Sequence, residues 1–288
     1  MMLGEMREIT SFDGTRLAVQ TAGVGPPVVL VNGLGGTFAA WRLQIEEFMG
    51  TRRFVSWDYR GIYRSAAPAD RTRVTVDDHV RDLEAVLAAE SIDAAVFMGW
   101  SMGVQVALEF YRRAPTRFRG LVLINGTFGH PFKTAFNWPL ARFVLPRLLR
   151  LAETRVGAFQ PLLQALVRQP RILGLLKSLR LAAPSLHEQL FRDLAAEYAN
   201  MDFRLYIAIL LALADHDAQD VLPTIAAPTL IITGQRDFFT PPGLAKRMAD
   251  RIPGAELLEV KLGTHYTPVE FPDVVNLRLK KFFRDHAL

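Results

Sequence analysis

Residues 96–107 read Val-Phe-Met-Gly-Trp-Ser-Met-Gly-Val-Gln-Val-Ala. A short apolar run reaches Gly99, Ser101 follows between Gly99 and Gly103, and Val104, Ala107, Leu108 and Tyr111 then recur at helical spacing. The stretch predicts a strand, a sharp turn and a helix, with one serine at the apex. The glycines have a steric reason: a serine projecting alone from so tight a turn needs a strained backbone, and side chains beside it would collide. The helix that follows aims unpaired N–H groups and its positive dipole end at the same point. A G-x-S-x-G pattern arises by chance in a chain of this length with a probability of about one in ten. The segments on either side therefore have to decide.

Upstream, Met6–Phe12 and Arg16–Thr21 flank Asp13-Gly14 and read as an antiparallel pair. Val28–Val31 is a short apolar strand running into Asn32-Gly33-Leu34-Gly35-Gly36, and a helix is expected over Ala39–Phe48. Phe54–Trp57 is a strand ending in Asp58-Tyr59-Arg60-Gly61. A helix over Thr75–Ala89 places Val76, Val80, Leu83 and Leu87 on one face. Downstream of the serine, Leu121–Ile124, Thr229–Thr233 and Leu257–Val260 read as strands, and Pro272–Phe283 as a final helix. Uniformly apolar strands alternating with amphipathic helices indicate an α/β fold whose mostly parallel sheet is covered on both faces.

The alternation breaks between Gly129 and Ala218. That segment holds helix-like pieces punctuated by Pro139, Pro146, Pro161, Pro170 and Pro184, without a convincing strand. From Lys133 to Arg180 its cations are Lys133, Arg142, Arg147, Arg150, Arg155, Arg168, Arg171, Lys177 and Arg180, against Glu153 alone. The expected organisation is a core from residues 1–129 and 219–288, with 130–218 inserted as a helical cap.

Composition narrows the chemistry. The chain has 288 residues, half of them hydrophobic, which suits one large domain or one domain with an insertion. It contains no cysteine, so disulfides, thiolate catalysis and cysteine metal sites are excluded. Met1–Thr10 has charges but no apolar core of a signal peptide, and the longest apolar run, Leu205–Ala214, is too short to span a bilayer. A soluble cytoplasmic protein is the expectation. The net charge of +5 is mild, and the arginines occur with Leu and Phe at helical spacing rather than in a recognition motif, so nucleic acid is not expected as a partner.

A serine nucleophile needs a base, and the base an orienting acid. Thr229–Thr233 runs into Gly234-Gln235-Arg236-Asp237, which places Asp237 in a loop after a strand; Leu257–Val260 runs into Gly263-Thr264-His265. The carboxyl ends of parallel strands lie on one edge of a sheet, so Ser101, Asp237 and His265 can converge there. His130, His187 and His216 lie in or beside the insertion, His79 lies inside a helix and His286 in the tail; none follows a late core strand. Asp217 and Asp220 precede the Thr229–Thr233 strand and belong at its wrong end. An oxyanion would need preset backbone N–H groups, expected from Met102 and Leu34. Asn32 is placed to brace the second of these loops.

Together these segments resemble the α/β-hydrolase superfamily, and within it the capped esterase, lipase and C–C hydrolase branch. The residues that carry the resemblance are Asn32-Gly33-Leu34-Gly35-Gly36, Asp58-Tyr59-Arg60-Gly61, Gly99-Trp100-Ser101-Met102-Gly103, Gly234-Gln235-Arg236-Asp237 and Gly263-Thr264-His265. They span nearly everything outside the insertion. Four positions depart from the family's usual pattern: Asn32 stands for a histidine, and Tyr63, Val104 and Thr264 for glycines. Ser101 in place of a nucleophilic aspartate argues against an epoxide hydrolase or a haloalkane dehalogenase.

The resemblance implies a serine hydrolase of carboxylic esters that needs neither metal nor cofactor. A C–C bond hydrolase of dienoic diketo acids, a perhydrolase and a non-catalytic ligand-binding member of the fold are the alternatives. In the insertion, Val144, Leu145, Leu148, Leu149 and Leu151 crowd one stretch, Leu162, Leu163, Leu166 and Val167 a second, and Leu173, Leu175, Leu176 and Leu179 a third. Part of that surface is expected to line the pocket and favour medium-chain acyl groups. The cations are expected to face outward, where they would favour an anionic membrane surface.

Overall fold

The computed structural model describes residues 4–134, 140–167, 169, 171–179 and 181–288. Pro139, Arg168, Pro170, Arg180 and the side chain of Leu163 lie outside the described residues. The strands are β1 (Glu5–Thr10), β2 (Arg16–Gly23), β3 (Pro27–Val31), β4 (Arg53–Trp57), β5 (Ala95–Trp100), β6 (Phe118–Ile124), β7 (Thr229–Gly234) and β8 (Glu256–Val260). They form one sheet in the order β1-β2-β4-β3-β5-β6-β7-β8. β1 pairs antiparallel with β2, and β2 antiparallel with β4; every other pairing is parallel. This is the mostly parallel, helix-covered sheet that the alternating pattern predicts.

The helices of the core are α1 (Arg42–Phe48), entered through a 3₁₀ turn at Phe38–Trp41, then α2 (Val76–Ala89) and α3 (Met102–Arg113). Strand residues alternate between two cores, as the two-residue period of a strand requires. Val29 and Val31 of β3, Phe97 of β5 and Leu121 and Leu123 of β6 pack with Val80 and Leu83 of α2 and Val104 and Leu108 of α3. Val28, Leu30, Met98, Val122 and Ile124 turn to the opposite face. There they meet Ile45 and Phe48 of α1 and Leu279 and Phe282. α2 starts at a capping box in which the Thr75 and Asp78 side chains each bond the other's backbone N–H.

The inserted segment carries α4 (Pro131–Thr134), α5 (Ala141–Val167), α6 (Arg171–Ser178), α7 (Glu188–Tyr198) and α8 (Phe203–Leu213). An isolated antiparallel bridge joins Gly129 to Asp217, so the chain leaves and re-enters the sheet layer at one place. Pro146 and Pro161 do not end a helix as the sequence suggests: α5 runs through both. Each proline removes one i→i−4 bond, and Pro161 does so on an exposed stretch, where a freed carbonyl need not be desolvated. α8 is the inserted helix most deeply seated, with Phe203, Leu205, Ile207, Ile209 and Leu213 buried in the first core.

After the insertion come α9 (Pro242–Arg251), α10 (Thr267–Glu270) and α11 (Pro272–Asp285). α9 is absent from the sequence reading, although Leu244, Ala245 and Met248 fall on one helical face and are buried. Among the described residues, no helix is long and apolar enough to cross a membrane.

Candidate active site

Ser101 sits between β5 and α3 with φ 56° and ψ −115°, outside the comfortable regions for a residue with a Cβ. The strain is held by its surroundings. Its N–H donates to the Ile124 carbonyl at 2.9 Å, and α3 passes so close to β3 that a Cβ on Gly103 would come within 2.0 Å of the Val31 oxygen. Only glycine lets the helix start there, which is why the turn has that spacing.

β7 ends at Gly234 and delivers Asp237; β8 ends at Val260 and delivers His265. His265 Nε2 lies 2.9 Å from Ser101 Oγ, and His265 Nδ1 lies 2.9 Å from Asp237 Oδ2. The sequence-predicted serine, histidine and acid are therefore brought together. Asp237 is almost completely buried and saturated with donors. Its Oδ1 accepts from the N–H groups of Phe239 and Thr240, both at 2.9 Å. Its Oδ2 also accepts from Thr240 Oγ1 and Asn125 Nδ2, both at 2.7 Å. Burial pushes this carboxyl up, but the charge of His265 and these hydrogen bonds outweigh it and hold it below the usual carboxylate range.

Asp217 and Asp220 are elsewhere. The first bridges to Gly129, and the second accepts from Arg112 at 2.7 Å. Three of the other five histidines have partners well away from the serine: His216 faces Glu109, His286 faces Glu256, and His187 caps α7.

Met102 follows Ser101 directly, and the turn that holds Leu34 approaches the serine through Gly33. Met102 opens α3, so its N–H has no partner inside the helix. Leu34 lies in the turn between Gly33 and Gly35, and a Cβ at Gly33 would stand 3.3 Å from the Ser101 Cβ. That close approach places the turn beside the serine. The turn is braced as expected: Asn32 Nδ2 donates to the Trp57 carbonyl at 2.8 Å, and Trp41 Nε1 donates to Asn32 Oδ1 at 2.9 Å. Tyr59 adds a bond from its hydroxyl to the Asn32 carbonyl at 2.6 Å.

Two departures from the usual pattern have specific partners. Tyr63 adopts φ 51°, the conformation for which glycine is usual, and its hydroxyl donates to the Gly35 carbonyl at 2.5 Å. Thr264 donates through its N–H at 2.7 Å and its hydroxyl at 2.6 Å to the two oxygens of Glu270. Glu270 is buried and also accepts from the N–H of Ala183 in the inserted segment at 2.7 Å. One carboxylate thus ties the insertion to the residue preceding His265. Burial raises its pKa, against the pull of those donors.

The chain matches a family model described as alpha/beta hydrolase fold over residues 26–272. It belongs to that family. A protein of Azorhizobium caulinodans named "Putative carbamate hydrolase RutD" is 28% identical over 90% of this chain and 92% of its own length. A thermophilic esterase of Thermogutta terrifontis superposes with a TM-score of 0.77 at 23% identity, covering 98% of this chain and 99% of that one. An esterase of Exiguobacterium antarcticum gives 0.76 at 21% identity over 98% and 99%.

In this alpha/beta hydrolase the surroundings of His265 are aromatic. The Phe239 ring lies 5.3 Å from the His265 ring, Tyr266 lies 6.2 Å from it, and Phe191 of α7 stands edge-on to Tyr266 at 5.9 Å. Tyr198 and Tyr206 pack on the turn that carries Leu34: a Cβ on Gly35 would come 2.7 Å from the Tyr198 ring and 3.3 Å from that of Tyr206. The insertion leucines contribute less than the sequence suggests. Leu148, Leu151, Leu162, Leu166, Leu175 and Leu179 are half or more exposed, because α5 packs mainly against α8 through its other side. Leu173 is buried in the second core, and Leu149 is partly buried against the first.

Proposed function

We propose that this hydrolase cleaves carboxylic esters through an acyl-enzyme on Ser101. The observation that carries the reading is the chain of contacts from Ser101 Oγ through both ring nitrogens of His265 to Asp237. With its proton on Nδ1, facing the carboxylate, His265 presents a lone pair on Nε2 to the serine hydroxyl. Nε2 takes the hydroxyl proton of Ser101 as Oγ attacks the ester carbonyl. Asp237 keeps the ring in this tautomer and stabilises the imidazolium. The N–H groups of Leu34 and Met102 receive the oxyanion. The imidazolium then gives its proton to the departing alcohol, and water, deprotonated by His265, releases the acid.

The apolar part of the acyl group packs against Phe239, Tyr266 and Phe191 rather than against the insertion leucines. Each buried CH₂ is worth about 0.8 kcal/mol, roughly a fourfold gain per carbon until the aromatic wall is filled. A p-nitrophenyl ester series from acetate to octanoate tests this: kcat/KM should rise from acetate to the medium chains. A maximum at acetate would reject the acyl preference, and turnover no faster than the uncatalysed rate on every ester would reject the reading.

The likeness to proteins named carbamate hydrolases favours a second reading, a carbamate as substrate. The same nucleophile, base and oxyanion donors serve attack on a carbamate carbonyl. Turnover of a carbamate with higher kcat/KM than any ester in the series would select it. The C–C hydrolase alternative has less support, since Arg142, Arg147, Arg150 and Arg155 all lie on exposed positions of α5.

A further inference from the structure

α5 is long, and most of it is uncovered. Among the described side chains of Ala141–Val167, only Ala141 and Val156 are buried. On the exposed side Leu148, Leu151, Phe159, Leu162 and Leu166 are each half or more exposed. With Arg155 between them, they are spaced 3, 4, 4, 3 and 4 residues apart, so they form one continuous stripe along the helix. Leu175 and Leu179, four residues apart at the end of α6, extend the same character. Isolated exposed leucines are ordinary, but a stripe five turns long is not. Its rim is cationic: Arg155 lies within the stripe and Arg147 beside it, while Arg142 and Arg150 stand on other exposed positions of α5, whose sole acid is Glu153, and Arg171 opens α6.

We propose that this face docks onto an anionic lipid surface. An apolar stripe interleaved with arginines is the composition of a helix lying in the plane of a bilayer interface, with leucines and phenylalanine in the acyl boundary and guanidinium groups at the phosphates. Charge decides between occupants. A second copy seated on the stripe would bring two arginine-rich rims together with one glutamate each to compensate. Anionic headgroups neutralise the same arginines, each contributing about a fivefold gain in affinity at low salt.

The test is sedimentation of the full chain with extruded vesicles of phosphatidylcholine alone and of phosphatidylcholine with 30% phosphatidylglycerol. Three variants accompany it: Leu162→Asp, Leu166→Asp, and Arg147→Gln with Arg155→Gln. All sit on exposed positions, and hydrolysis of a water-soluble ester serves as the folding control and stays unchanged. The expected result is binding to the anionic vesicles only. It weakens in high salt, falls about twentyfold in the double arginine variant and falls at least tenfold in each aspartate variant. No binding to anionic vesicles at low salt overturns the proposal, as does binding that the variants leave unchanged. A dimer in light scattering that Leu162→Asp dissociates, without vesicle binding, overturns it in favour of a second copy.

Discussion

Asn125 Nδ2 donates to the very oxygen of Asp237 that faces His265, at 2.7 Å. Asn125 stands at the end of β6 with φ 45° and also donates to the Thr264 carbonyl at 3.0 Å, so it ties the acid's loop to the histidine's loop. Asn125→Ala should lower kcat about tenfold, the worth of one hydrogen bond to a charged group, with KM little changed. Asn125→Asp should cost more. It sets a second carboxylate against the first, the two then share a proton, and the acid limb of the rate profile moves to higher pH. An Asn125→Asp enzyme with an unmoved profile would contradict this role. Asp237→Asn should lower kcat by a factor on the order of 10⁴.

Tyr63 clamps the turn that carries Leu34, the proposed oxyanion donor, through its bond to Gly35. Tyr63→Phe keeps the ring and removes that bond. We expect kcat to fall several-fold and KM to hold, because the turn serves the transition state rather than substrate binding. The steady-state constants decide it: a rise in KM alone would place Tyr63 in substrate binding.

Glu270 holds Thr264 and Ala183 together. Glu270→Gln presents an amide where a carboxylate accepts three donors, and should destabilise the fold by about 3 kcal/mol. Because Thr264 precedes His265, kcat should fall in the portion that stays folded. Urea unfolding gives the first number and active-site-normalised turnover the second; full activity per folded molecule would confine Glu270 to stability.

His79 is fully buried against the Tyr59 ring at 4.6 Å, and burial, with the charge of Arg60, pushes its pKa down to about 3 from 6.5. In the folded protein it stays neutral, while the unfolded chain binds a proton below 6.5. Stability is therefore lost as pH falls from about 6.5 to about 3 and does not change further below that. At about 1.4 kcal/mol per unit the full span sets an upper limit of roughly 5 kcal/mol. His79→Phe should flatten this part of the stability profile, measured as urea midpoints at pH 7 and pH 4. Equal losses in wild type and variant would assign the acid sensitivity to other groups.

The centre of the sheet was legible because β3, β5 and β7 are short, almost wholly apolar runs, and the glycine spacing about Ser101 gave away the turn. Asp237 and His265 were legible because each follows a late strand, which fixes the edge where its side chain emerges. What escaped was whatever depends on partners distant in sequence. Nothing local tells that Asn125 donates to Asp237, that Glu270 bonds Ala183 87 residues away, or that Tyr198 and Tyr206 close on Gly35. Tyr63 and Thr264 left a trace, as side chains where glycine is usual. The α5 leucines misled because helical periodicity reports which residues share a face, not which face is covered.

The central claim is that Ser101 is the nucleophile, activated by His265. Its most direct measurement is mass spectrometry of the intact chain and its peptides after exposure to a fluorophosphonate. One adduct per chain is expected, on the peptide containing Ser101, with loss of esterase activity in proportion; the adduct should be absent from folded Ser101→Ala and formed far more slowly by His265→Ala. Ester turnover by folded Ser101→Ala at the wild-type rate, or an adduct on another residue that accounts for the inactivation, would contradict the assignment.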